Sequence, residues 1–221
     1  MKSINIIKIG GNVIDDAKAM KKFMNDFSKV KGHNILVHGG GKLATQLSNQ
    51  LGIETKMVDG RRITDAETLK TTVMVYAGWI NKTITVQLNS KNVKAIGLSG
   101  ADVNLIPAIK RKSAKMDYGY VGDIVTQKIN TSFIAELFKQ NITPVIAPIT
   151  SDHKGQLYNT NADTIASSLA IALSKIYHVK VIYCFEKNGV LNQDKVIQKL
   201  NLSTYENLKQ NGIIINGMIP K

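Results

Sequence analysis

The sequence predicts an α/β protein built around a mainly parallel sheet. Short apolar runs of strand length alternate with segments of helical period along the chain. The first two runs, residues 4–9 and 35–37, are each followed by glycines and then by an amphipathic segment. The expected order is therefore strand, glycine turn and helix, repeated at once.

The later elements follow from periodicity and from helix-start signals. A long helix is expected over residues 64–88, because Thr64 and Glu67 have the spacing of a capping box. A second capping box, Ser203 with Glu206, predicts the last helix, which should end near Gly212. The other helices are expected at 131–140 and 162–176, the other strands at 94–98, 144–149 and 181–185, and a β-hairpin insert at 104–126.

Composition limits the classes of protein to which the chain belongs. Its 221 residues make one large domain or two closely fused small ones, and 43% hydrophobic residues suffice for a core. The net charge of +13 favours anionic partners, but the lysines fall singly and no aromatic-rich basic strip is present. We therefore expect no nucleic-acid partner.

Cysteine and histidine usage argues against a metal centre. Cys184 is the single cysteine, so no disulfide forms within the chain, and we expect no metal-ligand partner for His33, His153 or His178. No apolar stretch approaches the ~18 residues of a membrane-spanning helix, and no leader precedes the first strand. These features predict a cytoplasmic protein without a bound metal of its own.

Two glycine turns carry the first chemical signal. Lys8 lies at the end of the first strand, just before Gly10 and Gly11, and His38 lies at the end of the second, before Gly39, Gly40 and Gly41. Glycines let backbone N–H groups approach a phosphate closely, and a lysine adds positive charge there. The alternative is a pair of ordinary tight turns. Neither turn has the spacing of a Walker A loop or of a dinucleotide fingerprint.

Polar residues near two predicted helix starts carry the second signal. Arg62 lies in a loop before the long helix, where its guanidinium could take a carboxylate in two parallel hydrogen bonds. Asn159, Asn161 and Asp163 alternate ahead of another helix. The alternatives are a solvated arginine and helix caps, and capping accounts for one of the three polar residues.

Five motifs in the same order resemble the acetylglutamate kinases, members of the amino acid kinase family. They are Lys8-Ile9-Gly10-Gly11, Val37-His38-Gly39-Gly40-Gly41, Gly60-Arg61-Arg62-Ile63-Thr64, Asn159-Thr160-Asn161-Ala162-Asp163 and Gly217-Met218-Ile219-Pro220-Lys221. The resemblance implies a three-layer αβα sandwich of the amino acid kinase fold. It also implies an N-terminal lobe, residues 1–150, for the acyl-amino acid and dimerisation, and a C-terminal lobe, residues 151–221, for ATP.

The resemblance further implies a reaction and a role for each matched residue. The reaction is the Mg²⁺- and ATP-dependent phosphorylation of the γ-carboxylate of an N-acyl-L-glutamate, the second step of arginine biosynthesis. The implied roles are as follows: catalytic, Lys8, Lys221 and Asp163; substrate-binding, Gly40, Gly41, Arg62 and Asn159; phosphate- or nucleotide-binding, Gly10, Gly11 and Asn161.

The sequence leaves several alternatives open. The acyl group is acetyl or succinyl, and the chain could be another family member, such as a carbamate, aspartate or uridylate kinase, or a catalytically silent binding protein. Residues 185–189 depart from the pattern of many relatives, which leaves the adenine contacts undetermined. Relatives also continue beyond the residue that matches Lys221, so we expect the chain to be truncated at its C-terminus.

Trp79 bears on assembly. It lies beside the apolar stripe of the long helix and would be exposed unless a partner covers it, which predicts a homodimer. The alternative is that residues 104–126 of the same chain cover Trp79. Arginine-inhibited relatives have an extra N-terminal helix, whereas the first strand here begins by Ile4, so we expect no response to arginine.

Overall fold

The computed structural model describes residues 1–58, 61–114, 116–185, 189–192 and 195–214. The strands are β1 Ser3–Ile9, β2 His33–His38, β3 Met57–Val58, β4 Arg61–Arg62, β5 Ala95–Ser99, β6 Ala108–Lys110, β7 Gly122–Ile124, β8 Thr143–Ala147, β9 Ile149–Ser151, β10 Leu157–Asn159, β11 His178–Cys184, β12 Leu191–Asn192 and β13 Lys195–Val196. The helices are α1 Gly11–Asp15, α2 Ala17–Phe27, α3 Gly41–Gln50, α4 Ala66–Val73, α5 Asn81–Asn89, α6 Thr131–Lys139, α7 Ala162–Leu173 and α8 Leu202–Gln210.

A five-stranded parallel sheet forms the centre of the molecule, as the sequence predicts. Its order is β11-β1-β2-β8-β5, and β1 pairs with β2 on one side and with β11 on the other. Because all five strands run in the same direction, their carboxyl ends meet at one edge. In open α/β sheets that edge is where ligands bind.

Side-chain alternation along β1 explains the layers. Ile4 and Ile6 pack with α6 and α7 on one face, while Ile7 and Ile9 pack with α2 and the long helix on the other. Both faces of the sheet are covered, as is usual for parallel sheets. The predicted three-layer αβα sandwich is thereby confirmed.

The hairpin insert is also present. Strands β6 and β7 pair antiparallel, with Ala108 opposite Ile124 and Lys110 opposite Gly122. This hairpin packs against β9 and α7. Glycine is required at position 122, since a Cβ there would lie 2.8 Å from the Tyr158 Cβ.

Both predicted capping boxes are wrong. Asp65 caps α4 by accepting from the Thr68 N–H at 2.8 Å, whereas the Thr64 hydroxyl donates to the Arg62 carbonyl. At the last helix, Asn201 is the cap and accepts from the Thr204 N–H. In each case a better-placed acceptor precedes the predicted residue, because Asp and Asn are as favourable as Ser or Thr at this position.

The long helix contains a segment that the sequence does not predict. Residues Met74–Ile80 form a π-helical segment that joins α4 to α5. π-Helical segments are rare in proteins, and many of those that occur lie at functional sites. Trp79 lies in this segment with 70% of its surface exposed, so the interpretation that residues 104–126 cover it is wrong.

Candidate active site

A cleft of about 220 Å³ opens at the carboxyl edge of the central sheet. The residues that line it come from the two glycine turns, from β4, from the π-helical segment and from the start of α7. Eight residues predicted from the sequence are among them: Lys8, Gly11, Gly40, Gly41, Arg62, Asn159, Asn161 and Asp163. Residues separated by more than 150 positions in the chain therefore meet in one cleft.

A buried ion pair lies at the centre of this cleft. The Lys8 ammonium is 2.7 Å from Oδ1 of Asp163, and both side chains are almost completely buried. Lys8 has the same strand parity as Ile4 and Ile6, so it points to the face that α7 covers. Apart from Lys8, Oδ1 has no hydrogen-bond partner in the described part of the chain. Buried charges of this kind are expensive to maintain without a role.

Asn161 forms the start of α7. Its side-chain oxygen accepts from the N–H groups of Asp163 and Thr164, at 2.8 and 3.0 Å. Asn161 therefore caps this helix, as one of the three polar residues was expected to do. Asp163 does not cap α7. Its carboxylate pairs with Lys8 instead.

In each glycine turn, one backbone N–H group is used for a hydrogen bond within the protein and is not available to a ligand. The Gly10 N–H donates to the Cys184 carbonyl, and the Gly39 N–H donates to the Ile9 carbonyl. Gly10 does not line the cleft, which weakens its assignment as a phosphate ligand. Gly40 has φ +150°, a backbone conformation in which any other residue would be strained, and a Cβ there would lie 2.2 Å from Cδ1 of Ile80.

Arg62 is buried and holds the glycine turn in place. Its Nη2 donates to the Gly41 carbonyl at 2.9 Å and to the Thr45 hydroxyl at 2.8 Å. Its Nη1 donates to the Thr55 hydroxyl at 3.1 Å. The interpretation of Arg62 as a solvated loop residue is therefore wrong, since the guanidinium lies in the cleft wall.

Asn159 reaches the cleft from the end of β10. Its Nδ2 donates to the Thr64 hydroxyl at 3.1 Å, and its backbone N–H donates to the Tyr120 carbonyl. These contacts fix the Asn159 side chain beside Arg62, because Thr64 in turn donates to the Arg62 carbonyl. The motifs at 60–64 and 159–163 thus form one connected polar wall.

The sequence analysis assigns no role to several residues of the cleft region, among them Tyr76, Arg61 and His38. Tyr76 and Arg61 line the cleft, and the buried His38 lies directly behind the glycine turn. Burial raises the pKa of Tyr76, an effect that the nearby Arg62 guanidinium opposes. The helical periodicity of the sequence identified Tyr76 only as one residue of an apolar helix face. Only the strand parity of His38 could have signalled that it faces the long helix.

Some predicted features lie outside the described residues. This group comprises residues 186–188 and 217–221, and it includes Lys221, the second lysine that was predicted to be catalytic. Gly60 of the motif around Arg62 is also outside.

Comparison with known proteins identifies the family. The pattern of the amino acid kinase family matches residues 3–221. The chain belongs to the amino acid kinase family. This amino acid kinase is 52% identical to an acetylglutamate kinase of Cytophaga hutchinsonii and 49% identical to one of Phocaeicola vulgatus. The matches cover 100% of this chain and 85% and 86% of those relatives.

Solved structures agree with the fold of this amino acid kinase. The protein smu.665 from Streptococcus mutans UA159 superposes with a TM-score of 0.81 at 26% identity, covering 100% of this chain and 87% of that one. An N-acetylglutamate synthase from Neisseria gonorrhoeae, complexed with coenzyme A and N-acetyl-glutamate, has a TM-score of 0.79 at 20% identity. That match covers 94% of this chain and 47% of the synthase, and it shows the fold alone.

Of the helices that the structure describes, none is both long and apolar enough to cross a bilayer. Within the same described ranges, no three His, Cys, Asp or Glu side chains are grouped so that they could hold a metal ion.

Proposed function

We propose that this chain transfers the γ-phosphoryl group of ATP to the γ-carboxylate of an N-acyl-L-glutamate, with N-acetyl-L-glutamate as the first candidate. One carboxylate oxygen attacks the γ-phosphorus, the bond from that phosphorus to the β,γ-bridging oxygen breaks, and ADP leaves. The products are ADP and N-acetyl-L-glutamyl γ-phosphate. In arginine biosynthesis this is the second step, and the proposed location is the cytoplasm.

The observation that carries this proposal is the Lys8–Asp163 pair inside the cleft. Phosphoryl transfer needs alignment and positive charge near the oxygens of the transferred group, and little covalent chemistry from the protein. Lys8, at 2.7 Å from Asp163, supplies a positive charge in a fixed place, and Gly40 and Gly41 line the same cleft. The high identity to acetylglutamate kinases supports the choice of acceptor.

The reaction requires no general base from the protein. A carboxylate with a pKa of about 4.3 is already ionised at neutral pH. His38 does not contradict this, because burial lowers its pKa to about 4 and its ring nitrogens contact protein atoms. Mg²⁺ would reach the cleft on the ATP phosphates, whose negative charge it neutralises.

One observation favours a second candidate acceptor, N-succinyl-L-glutamate. Arg61 lines the cleft next to Arg62, although burial and the neighbouring Arg111 guanidinium lower its pKa. A succinyl group carries an additional carboxylate, for which a guanidinium is a suitable partner. Steady-state rates with the two substrates, measured on the wild type and on Arg61→Leu, decide between them. A succinyl preference that Arg61→Leu removes would establish the second candidate, and an acetyl preference that survives would exclude it.

The two lobes are proposed to divide the substrates. Residues 1–150 would bind the acyl-amino acid and form the dimer, and residues 151–221 would bind ATP. Arg62 and the glycine turn support the first assignment, and the α7 start, with Asn161 and Asp163, supports the second. Strand β11 of the second segment pairs along β1 of the first, so the proposed lobes share one sheet.

A substrate panel tests the proposed function. ADP release is measured with N-acetyl-L-glutamate, N-succinyl-L-glutamate, carbamate, L-aspartate and UMP, each with ATP and Mg²⁺. We expect turnover with an N-acyl-L-glutamate only. Turnover with carbamate, aspartate or UMP would assign another kinase of the family, and binding without turnover would indicate a silent relative.

Arg62→Ala is expected to raise KM for the acyl-glutamate by about 100-fold, because a positively charged partner of the carboxylate is lost. KM for ATP should stay within about twofold, since Arg62 lies in the proposed acyl-amino-acid lobe. Thr45→Val is the matched control, as it removes one contact of the guanidinium but keeps its charge. An equal loss of ATP affinity in Arg62→Ala would contradict the assignment.

Trp79→Glu is expected to convert a homodimer into a monomer of 24.2 kDa in light scattering. Met74, Trp79 and Val86 are 58%, 70% and 67% exposed along the long helix, and an exposed apolar face of this kind is typical of an interface. Ile109→Glu, at an exposed isoleucine of β6, is the control and should leave the dimer intact. A monomeric wild type, or a hexamer, would contradict the proposed dimer.

A further inference from the structure

A buried pair of polar side chains lies between the glycine turn and the long helix. His38 and Asn81 are both completely buried, and Nδ2 of Asn81 lies 3.1 Å from Nε2 of His38. Burying polar groups in an apolar layer costs free energy unless each finds a hydrogen-bond partner. This pair is not part of the cleft wall, so its role is separate from direct contact with substrate.

The surrounding carbonyls determine which atom of each side chain donates. Nδ2 of Asn81 lies 2.9 Å from the Val145 carbonyl, which only accepts, so the Asn81 amide group must present its N–H₂ there. Nδ1 of His38 lies 2.9 Å from the Gly39 carbonyl, which also only accepts. His38 therefore carries its proton on Nδ1, and its Nε2 accepts from Asn81.

The Gly39 carbonyl controls a neighbouring N–H group. The peptide between Gly39 and Gly40 is planar and trans, so its C=O and N–H point in opposite directions. When Nδ1 of His38 donates to the Gly39 carbonyl, the Gly40 N–H points away from the imidazole ring of His38. Gly40 lines the cleft, and its N–H donates to no acceptor in the described ranges.

The long helix supports the same turn from its other side. Gly40 packs against Ile80 and Tyr76 of the π-helical segment, and Asn81 follows that segment directly. A Cβ at Gly97 of β5 would lie 2.2 Å from Oδ1 of Asn81, so the helix lies directly on the sheet at this point. Asn81 is therefore fixed by β5 and β8 and can in turn fix His38.

We infer that His38 and Asn81 are positioning residues that orient the Gly40 N–H toward the transferred phosphoryl group. This inference rests on the proposed function. Preorganised backbone donors stabilise a transition state without reorganisation at the moment of reaction. A small displacement of such a donor lowers kcat more than it changes substrate binding.

The tautomer of His38 tests the geometry independently of catalysis. Nitrogen NMR on the ¹⁵N-histidine-labelled wild type should show one histidine protonated at Nδ1 and unprotonated at Nε2 at neutral pH. His38→Asn identifies the resonance, since its signals disappear while those of the other three histidines remain. A His38 protonated at Nε2 would overturn the inference, whether or not the protein is a kinase.

Two substitutions of His38 test the mechanism. Asn can place its amide N–H₂ where Nδ1 lies and still donate to the Gly39 carbonyl, whereas Gln extends toward Asn81 and leaves that carbonyl free. We expect His38→Gln to lower kcat by about tenfold or more, with each KM within about threefold, and His38→Asn to recover much of the loss. A smaller loss in His38→Gln than in His38→Asn would overturn the inference.

Asn81→Leu removes the donor to His38 and should also lower kcat by about tenfold with small changes in KM. Asn89→Ala is the matched control, because Asn89 lies on the same helix and bonds Ala95 of β5, far along the strand from the glycine turn. Its kcat should stay within twofold. Equal losses in the two variants would show that Asn81 only anchors the helix, which overturns the inference. An inactive wild type with the expected tautomer would count against the proposed function instead.

Discussion

Asp163→Asn should lower kcat by at least about 100-fold, while the binding constants of ATP and the acyl-glutamate change little. Asparagine keeps the shape of the side chain but removes the charge that holds the Lys8 ammonium at 2.7 Å. The effect falls on the transition state, because the orientation of Lys8 matters most when charge develops on the phosphoryl oxygens.

The control for this variant is Asp65→Asn. Asp65 also stands at a helix start, where it caps α4, and asparagine is an equally favourable cap. Its kcat should match that of the wild type. Steady-state kinetics together with calorimetric binding measure both quantities. A kcat near the wild-type value in Asp163→Asn would show that the carboxylate has no part in the reaction.

Lys8→Met should lower kcat by a similar factor of about 100 or more, since it removes the positive charge and leaves an apolar chain of similar length. It also leaves the Asp163 carboxylate buried without its partner, which destabilises the fold. Thermal unfolding of the variant should therefore occur at a lower temperature than that of the wild type.

Lys42→Met separates this effect from a general loss of charge. Lys42 lies next to the glycine turn, but its side chain is 64% exposed, so we expect its kcat to remain within about twofold. The double variant of Lys8→Met and Asp163→Asn should lose about as much activity as either single variant, because the two residues act as a unit. Fully additive losses would contradict a joint role.

Much of the cleft could be predicted from the sequence, because its residues occupy positions that the parallel sheet brings together. Lys8 is the next-to-last residue of β1, and glycines follow β1 and β2, so both turns must meet at the carboxyl edge. The parity of Lys8 places it on the α7 face. Asp163 could be assigned a role only through the resemblance, since a carboxylate in the first helical turn is also a common structural feature.

Other features depend on tertiary contacts that no local pattern specifies. The π-helical segment over Met74–Ile80 contains no proline, and its apolar stripe is compatible with an ordinary α-helix. Thr64 does not cap the helix as predicted, because its hydroxyl hydrogen-bonds to Arg62 and Asn159 instead. The sequence also left open whether residues 104–126 cover Trp79, which only the positions of its neighbours could decide.

Trapping of the product with hydroxylamine tests the proposed reaction most directly. N-Acetyl-L-glutamyl γ-phosphate reacts with hydroxylamine to give the γ-hydroxamate, which is measured beside ADP in the presence of ATP, Mg²⁺ and N-acetyl-L-glutamate. We expect equal amounts of ADP and hydroxamate from the wild type and almost none from Asp163→Asn. ADP formed without hydroxamate, or N-acetyl-L-glutamate bound without turnover, would contradict phosphoryl transfer to its γ-carboxylate.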